Sequence, residues 1–223
     1  MRLNRFIDLL DDASFHFASA NQFGDPFEGA VAVQPRDFPV DPRYEKIDDT
    51  EHAFAELKRL TKISCRHIED HESDAMWKLY SGMGKGVAIT STPKRIEQAL
   101  ESFRLKPEYG IEEITAAYVS YVDLMQERLK VSMLERFFYK HNAFSWEKEF
   151  RLAITLRMAE EFGVNIPKDG IYVNANIDIL IEEIHIGPSL NDAENKKIID
   201  LCALKKLENR VKISSLLGRP RYV

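Results

Sequence analysis

Apolar residues recur along the chain with two different periods, and the places where the period changes mark the elements. Phe6, Leu9 and Leu10 stand at helical spacing, whereas Phe15 and Phe17 alternate with His16 and Ala18, so a short helix followed by a strand is predicted. Two glycines and a proline in Asn21 to Gly29 make that stretch a turn or loop. Ala53, Phe54, Leu57 and Leu60 form a stripe that predicts a helix from an N-cap at Thr50, followed by a strand over 62–65. Ser73 caps a second helix through Tyr80, and the glycines at 82, 84 and 86 lead into a strand from Val87 to Thr90. A helix from Pro93 to Phe103, a strand over 116–122 and a helix over 124–139 come next. Residues 147–156 alternate: Phe150, Leu152 and Ile154 share one face, and Glu147, Glu149, Arg151 and Thr155 the other. Strands over 170–174 and 181–186, a helix over 191–207 and a strand over 211–214 complete the chain.

Because strands and helices interleave irregularly, the expected class is α+β, with a mixed, mainly antiparallel central sheet and helices packed against it. The 223 residues are read as a single domain, 1–223, in which 191–223 supply the C-terminal helix and final strand. The prolines at 35, 39 and 42 suit an exposed connection.

Charge narrows the partners. The net charge is -5 with both signs interspersed, which disfavours nucleic acid. The basic group Lys205, Lys206, Arg210, Lys212, Arg219 and Arg221 is read as a solvated terminal face. No apolar run approaches the ~20 residues of a membrane span, and no apolar signal core follows the first residues, so a cytoplasmic location without membrane attachment is expected. Two cysteines, Cys65 and Cys202, fit a reducing compartment.

Chemistry concentrates in Trp146-Glu147-Lys148-Glu149-Phe150-Arg151. On a strand, Glu147, Glu149 and Arg151 would share one side at a repeat of ~7 Å, close enough to act on one ligand; a salt-bridged solvent face is the plainer alternative. Trp77 and Tyr80, three apart on a helix, suit stacking on a planar ring or core packing. Asp25 and Glu28 flank a turn beside Phe23 and Phe27, where they either bond the turn's own amides or contact a ligand. Cys65, His67 and His71 have ligand-like spacing without a matching fourth group, and no metal site is assigned. Gly82 to Gly86 lacks the strand before and helix after that a phosphate loop needs.

Several segments in this order resemble a bacterial family of uncharacterised proteins, domain of unknown function 2971. They are Phe17-Ala18-Ser19 with Phe23 to Glu28, Ser64-Cys65, Met76 to Tyr80, Gly86 to Ile89, Tyr121, and Lys140 through Arg151. The family usually carries Asn where this chain has Gly24. The resemblance implies a bacterial cytoplasmic setting and a site shared by Asp25, Glu28, Trp77, Tyr80, Glu147, Glu149 and Arg151, but no activity.

Three functional readings follow. The first is a transferase or glycohydrolase that uses NAD or another nucleotide, because Glu-x-Glu on a strand, with aromatics and a Ser64-bearing strand, is similar to ADP-ribosyltransferase-like proteins. Glu149 would stabilise charge at the anomeric carbon and Glu147 would orient or deprotonate the acceptor, with Arg151, Trp77, Tyr80, Ser64, Asp25 and Glu28 holding substrate. A second places a divalent cation among Asp25, Glu28, Glu147 and Glu149 for phosphodiester hydrolysis. The third is a non-enzymatic module that binds a small nucleotide or a protein.

Overall fold

The computed structural model describes residues 1–32, 47–106, 108, 110–214, 216 and 218, without the side chains of 47–50. The proline-bearing connection at 35, 39 and 42, the Thr50 side chain, and Arg219 and Arg221 therefore lie outside the described residues. The chain gathers into two compact units, each assembled from separated segments. One comprises Met1–Phe15, Glu69–Glu101 and Val173–Val223; the other comprises His16–Ile68 and Ser102–Tyr172.

The first unit carries α1 (Leu3–Asp12), and the Ser14–Ser19 strand, β1, begins where that helix ends at left-handed Ala13. In the second unit the chain continues through α2 (Ile47–Leu60) into β2 (Thr61–His67). The helix starts at Ile47, so Thr50 stands within its first turn and does not cap it. The first unit resumes with α3 (Asp74–Tyr80), whose Ser73 hydroxyl accepts the Met76 N–H as predicted, then β3 (Val87–Thr90) and α4 (Pro93–Ala99). Back in the second unit come β4 (Thr115–Tyr118), β5 (Ser120–Val122), β6 (Tyr139–His141), β7 (Glu149–Thr155) and α5 (Arg157–Glu161). The last elements are β8 (Gly170–Asn174), α6 (Ile177–Leu180), β9 (Glu183–Ile186), α7 (Asp192–Leu204) and β10 (Val211–Ile213).

A five-stranded sheet runs in the order β4-β7-β2-β1-β8, with β1–β2, β2–β7 and β4–β7 all antiparallel. The fold is thus α+β with a mainly antiparallel sheet, as the irregular order of periods predicts. The strand β7 is an interior strand, flanked by β2 and β4, and six of its seven residues are buried. That disposes of the solvent-face alternative for Glu149 and Arg151. A smaller sheet, β10-β9-β3, belongs to the first unit, and β5 pairs β6 in parallel in the second.

The helix expected over 93–103 ends at Ala99, and two further expectations fail. No helix forms over 124–139; the segment makes turns and a short 3-10 run, Glu135–Phe138. The Asp123 carboxylate accepts the Met125 N–H, and Ser132 exchanges bonds with Glu135, so side chains satisfy amides that a helix would have used. The other correction concerns Glu147, which is not on the strand. It closes a 3-10 segment, Asn142–Glu147, and Lys148 follows at φ 41°, ψ 66°, a left-handed residue that breaks the alternation before β7 starts.

Candidate functional site

Antiparallel register sets Cys65 opposite Arg151 and His67 opposite Glu149, and the alternation of side chains places all four on one face of the sheet. On that face Ile63 and Ala153 pack with Phe137 and Phe138 as an apolar floor. Beside it sits a buried cluster of charge. Arg151, 1% exposed, donates from Nη1 and Nη2 to the two Glu28 oxygens at 2.5 and 3.2 Å, from Nε to Glu149 at 2.5 Å, and from Nη1 to the Phe137 carbonyl at 2.6 Å. Lys140 bridges Glu149 at 2.9 Å and Glu147 at closer range, with its ammonium 4.5 Å from the Phe144 ring centroid.

Local chain geometry brings these groups in. Glu28 reaches Arg151 from the turn begun by Asp25, whose carboxylate accepts the Phe27 N–H at 2.8 Å and whose carbonyl accepts the Glu28 N–H. The next residue, Gly29, has φ 74°, and a Cβ there would stand 2.5 Å from the Phe137 ring, so only glycine lets the turn lie against the floor. Lys140 comes from β6, paired with Tyr121 of β5, and the Tyr121 hydroxyl accepts the N–H of Glu149 at 2.9 Å. Left-handed Lys148 returns the chain so that Glu147 faces Lys140.

Three carboxyl groups, Glu28, Glu147 and Glu149, thus meet two cations, and their pKa values move in different directions. Burial and the hydrogen bond to Glu149 raise Glu147 above the ordinary carboxyl range, although Lys140 pulls the other way. Burial would raise Glu149 too, but its bond with Glu147 and the charges of Arg151 and Lys140 outweigh that and hold it far below the range. Burial lifts Glu28 against the opposing pull of Arg151. The Cys65 thiol is pushed up to about 12 by burial, so it is no nucleophile at neutral pH.

Two buried atoms in this neighbourhood have no hydrogen-bond partner among the described residues: Asp25 Oδ2 and His67 Nε2. His67 donates from Nδ1 to the Glu147 carbonyl at 2.6 Å.

The structure brings together Asp25, Glu28, Glu147, Glu149 and Arg151. It does not bring Ser64 to them: that side chain is on the opposite face of β2, where its hydroxyl donates to the His16 carbonyl and accepts from Arg66. Trp77 and Tyr80 belong to the other unit. Trp77 is buried and its indole N–H donates to Glu72 at 2.9 Å, while Tyr80 is 52% exposed. Sequence reasoning weighed His67 only for its spacing from Cys65 and His71, and met Lys140 only as the start of a family segment, so neither was placed in the site. His67 had a signal, since the period of two in Ile63 and Cys65 continues into it; Lys140 lies on the three-residue β6, too short for periodicity to mark it.

Residues 76–152 match the model of a family described as protein of unknown function, DUF2971. No curated protein and no solved structure matches the chain. The matched stretch contains Lys140, Glu147, Glu149 and Arg151 and leaves out Asp25 and Glu28.

Proposed function

We propose that the buried carboxyl pair of this chain, whose residues 76–152 match the DUF2971 model, serves cleavage or transfer at the N-glycosidic bond of a nucleotide, with NAD as the first substrate to test. One observation carries the reading: two carboxyl groups bonded to the same lysine have their pKa values driven in opposite directions. Such a split makes Glu149 the anion and Glu147 the more readily protonated of the pair. Glu149, the anion, would stabilise positive charge growing at the anomeric carbon. Glu147, whose pKa is raised, would hold the ribose or the acceptor by a hydrogen bond. The glycosidic bond breaks with its electron pair leaving on the base, and water or an acceptor hydroxyl bonds to the anomeric carbon and releases its proton to solvent. Of the site residues expected from sequence, Asp25, Glu28 and Arg151 are then positioning groups, and Trp77, Tyr80 and Ser64 take no part in the step.

The test compares wild type with Glu147→Gln and Glu149→Gln for nicotinamide release from NAD, followed by chromatography. Glutamine at 149 cannot carry the negative charge, so Glu149→Gln should lose at least about 10²-fold in rate, whereas glutamine at 147 still donates a hydrogen bond and should lose far less; thermal melts show whether both variants fold. Full turnover in Glu149→Gln, or none in wild type across a nucleotide panel, would discard the reading.

A second reading has its own observation in favour. Glu28 and Arg151 are each 1% exposed and fully engaged with each other, which suits a non-enzymatic scaffold for ligand or protein binding elsewhere. The cation-dependent phosphodiesterase reading is weakened because the Arg151 guanidinium occupies the space between Glu28 and Glu149 that a metal ion would need.

A further inference from the structure

Away from the charge cluster, the second unit contains a cavity of about 580 Å³. That volume lies within the roughly 300–1,000 Å³ typical of small-molecule sites. Among the described residues its walls are mainly apolar, with Val31, Phe54, Leu57, Leu60 and Met133, and the charged groups that line it are Glu51, Glu56, Arg136 and Arg157. The two arginines differ. Arg157 is engaged by Glu161 at 2.9 Å and touches the Met133 sulfur at 3.5 Å. Arg136 has no carboxylate partner among the described residues, its Nε is buried without an acceptor, and its guanidinium stands 6.0 Å from the Phe54 ring centroid.

Two carboxylates line the cavity, and neither makes an ion pair with Arg136 among the described residues: Glu51 has no such contact, and Glu56 is taken by Arg59 at 2.7 and 2.9 Å. Glu135, next to Arg136 in the chain, accepts the Ser132 N–H. Burial without a counter-ion lowers the pKa of Arg136, the reverse of what a paired guanidinium shows. A buried donor left unmet at the edge of an apolar cavity is costly unless something accepts from it.

We infer that this cavity binds an apolar monocarboxylate, an acyl or aryl acid whose body lies along Phe54, Leu57 and Leu60 and whose carboxylate accepts from Arg136. The inference is independent of the Glu147 and Glu149 reading, since it shares no residue with that cluster.

Titration calorimetry of the whole protein with dodecanoate, dodecanol and dodecylamine, each below its micelle concentration, tests it. Dodecanoate should bind roughly tenfold more tightly than dodecanol, the increment of one charge-assisted hydrogen bond, and dodecylamine should bind more weakly than either. Arg136→Gln should remove the preference for the acid while dodecanol binding persists, and Arg136→Lys should keep part of it. Ala53, an exposed residue lining the cavity, gives the blocking variant: Ala53→Trp should weaken acid and alcohol alike. No saturable binding, equal binding of acid and alcohol, or a preference unchanged in Arg136→Gln would each overturn the inference. Thermal melts of the variants separate loss of the site from loss of the fold.

Discussion

Arg151→Met is the sharpest perturbation of the buried cluster. It removes four hydrogen bonds and leaves the Glu28 and Glu149 carboxylates and the Phe137 carbonyl without that partner, in positions where little water enters. Breaking one buried ion pair by deleting a partner costs about 3–5 kcal/mol. With two carboxylates stranded, the upper half of that range is expected, a large fraction of the ~5–15 kcal/mol that holds a typical domain together. Urea unfolding followed by tryptophan fluorescence suits the measurement, because the two tryptophans fall in different units. In a Trp77→Phe background Trp146 reports the unit that contains Arg151. Pairing the change with Glu28→Gln completes a double-mutant cycle, and the combined loss should fall short of the sum by more than about 1 kcal/mol. A loss under about 1 kcal/mol, or strict additivity, would show the cluster to be as weakly coupled as an exposed ion pair and refute the reasoning.

Further outcomes follow from the same geometry. Glu149 is held below its ordinary value of 4.5, so its stabilisation is present above that pH and is lost as pH falls through the folded value; the stability gap between wild type and Glu149→Gln should shrink under acid titration. Glu147 is raised, so its contribution is full below 4.5 and fades as pH climbs through its folded value, and Glu147→Gln should gain on wild type as pH rises. Cys65 and Cys202, pushed up to about 12 and about 11 by burial, should resist a thiol reagent at pH 8 in the folded protein and react in urea; rapid labelling of the native protein would contradict this. Lys62, fully buried, donates to the Arg59 and Pro167 carbonyls at 2.8 and 2.7 Å and to the Ser19 hydroxyl, so Lys62→Met should cost about 3 kcal/mol by leaving those acceptors unmet, and a chemical melt that barely moves would rule that role out.

Much of the fold was legible because periodicity reports burial directly. The strands Val87–Thr90 and Gly170–Asn174 and the Ser73-capped helix emerge with the bounds that their patterns predict. The alternation of Phe150, Leu152 and Ile154 also located β7, but it is silent about the opposite face, and the burial of Glu149 and Arg151 depends on Glu28, Phe137 and Lys140 packing over that face from distant parts of the chain. Apolar residues over 124–139 suggested a helix because composition alone does not reveal Asp123 and Ser132 competing for the backbone. At Glu147 one left-handed residue, Lys148, was enough to turn an assumed strand position into a corner, and no feature of the sequence marks a lysine for that conformation. The contact between Glu28 and Arg151 spans 123 positions, a separation that local patterns do not encode.

The interrupted make-up of the two units has a bearing on synthesis. Every segment of the unit holding the carboxyl pair has left the ribosome shortly after Tyr172, whereas the other unit awaits β9, α7 and β10, although its first helix was made at the outset. During that interval α1 emerges long before its partners, and the growing chain must keep its apolar stripe of Phe6, Leu9 and Leu10 from premature association. A fragment restricted to 76–152 would carry β4 and most of β7 but neither β2 nor Glu28, and so would expose Arg151 with half its partners missing.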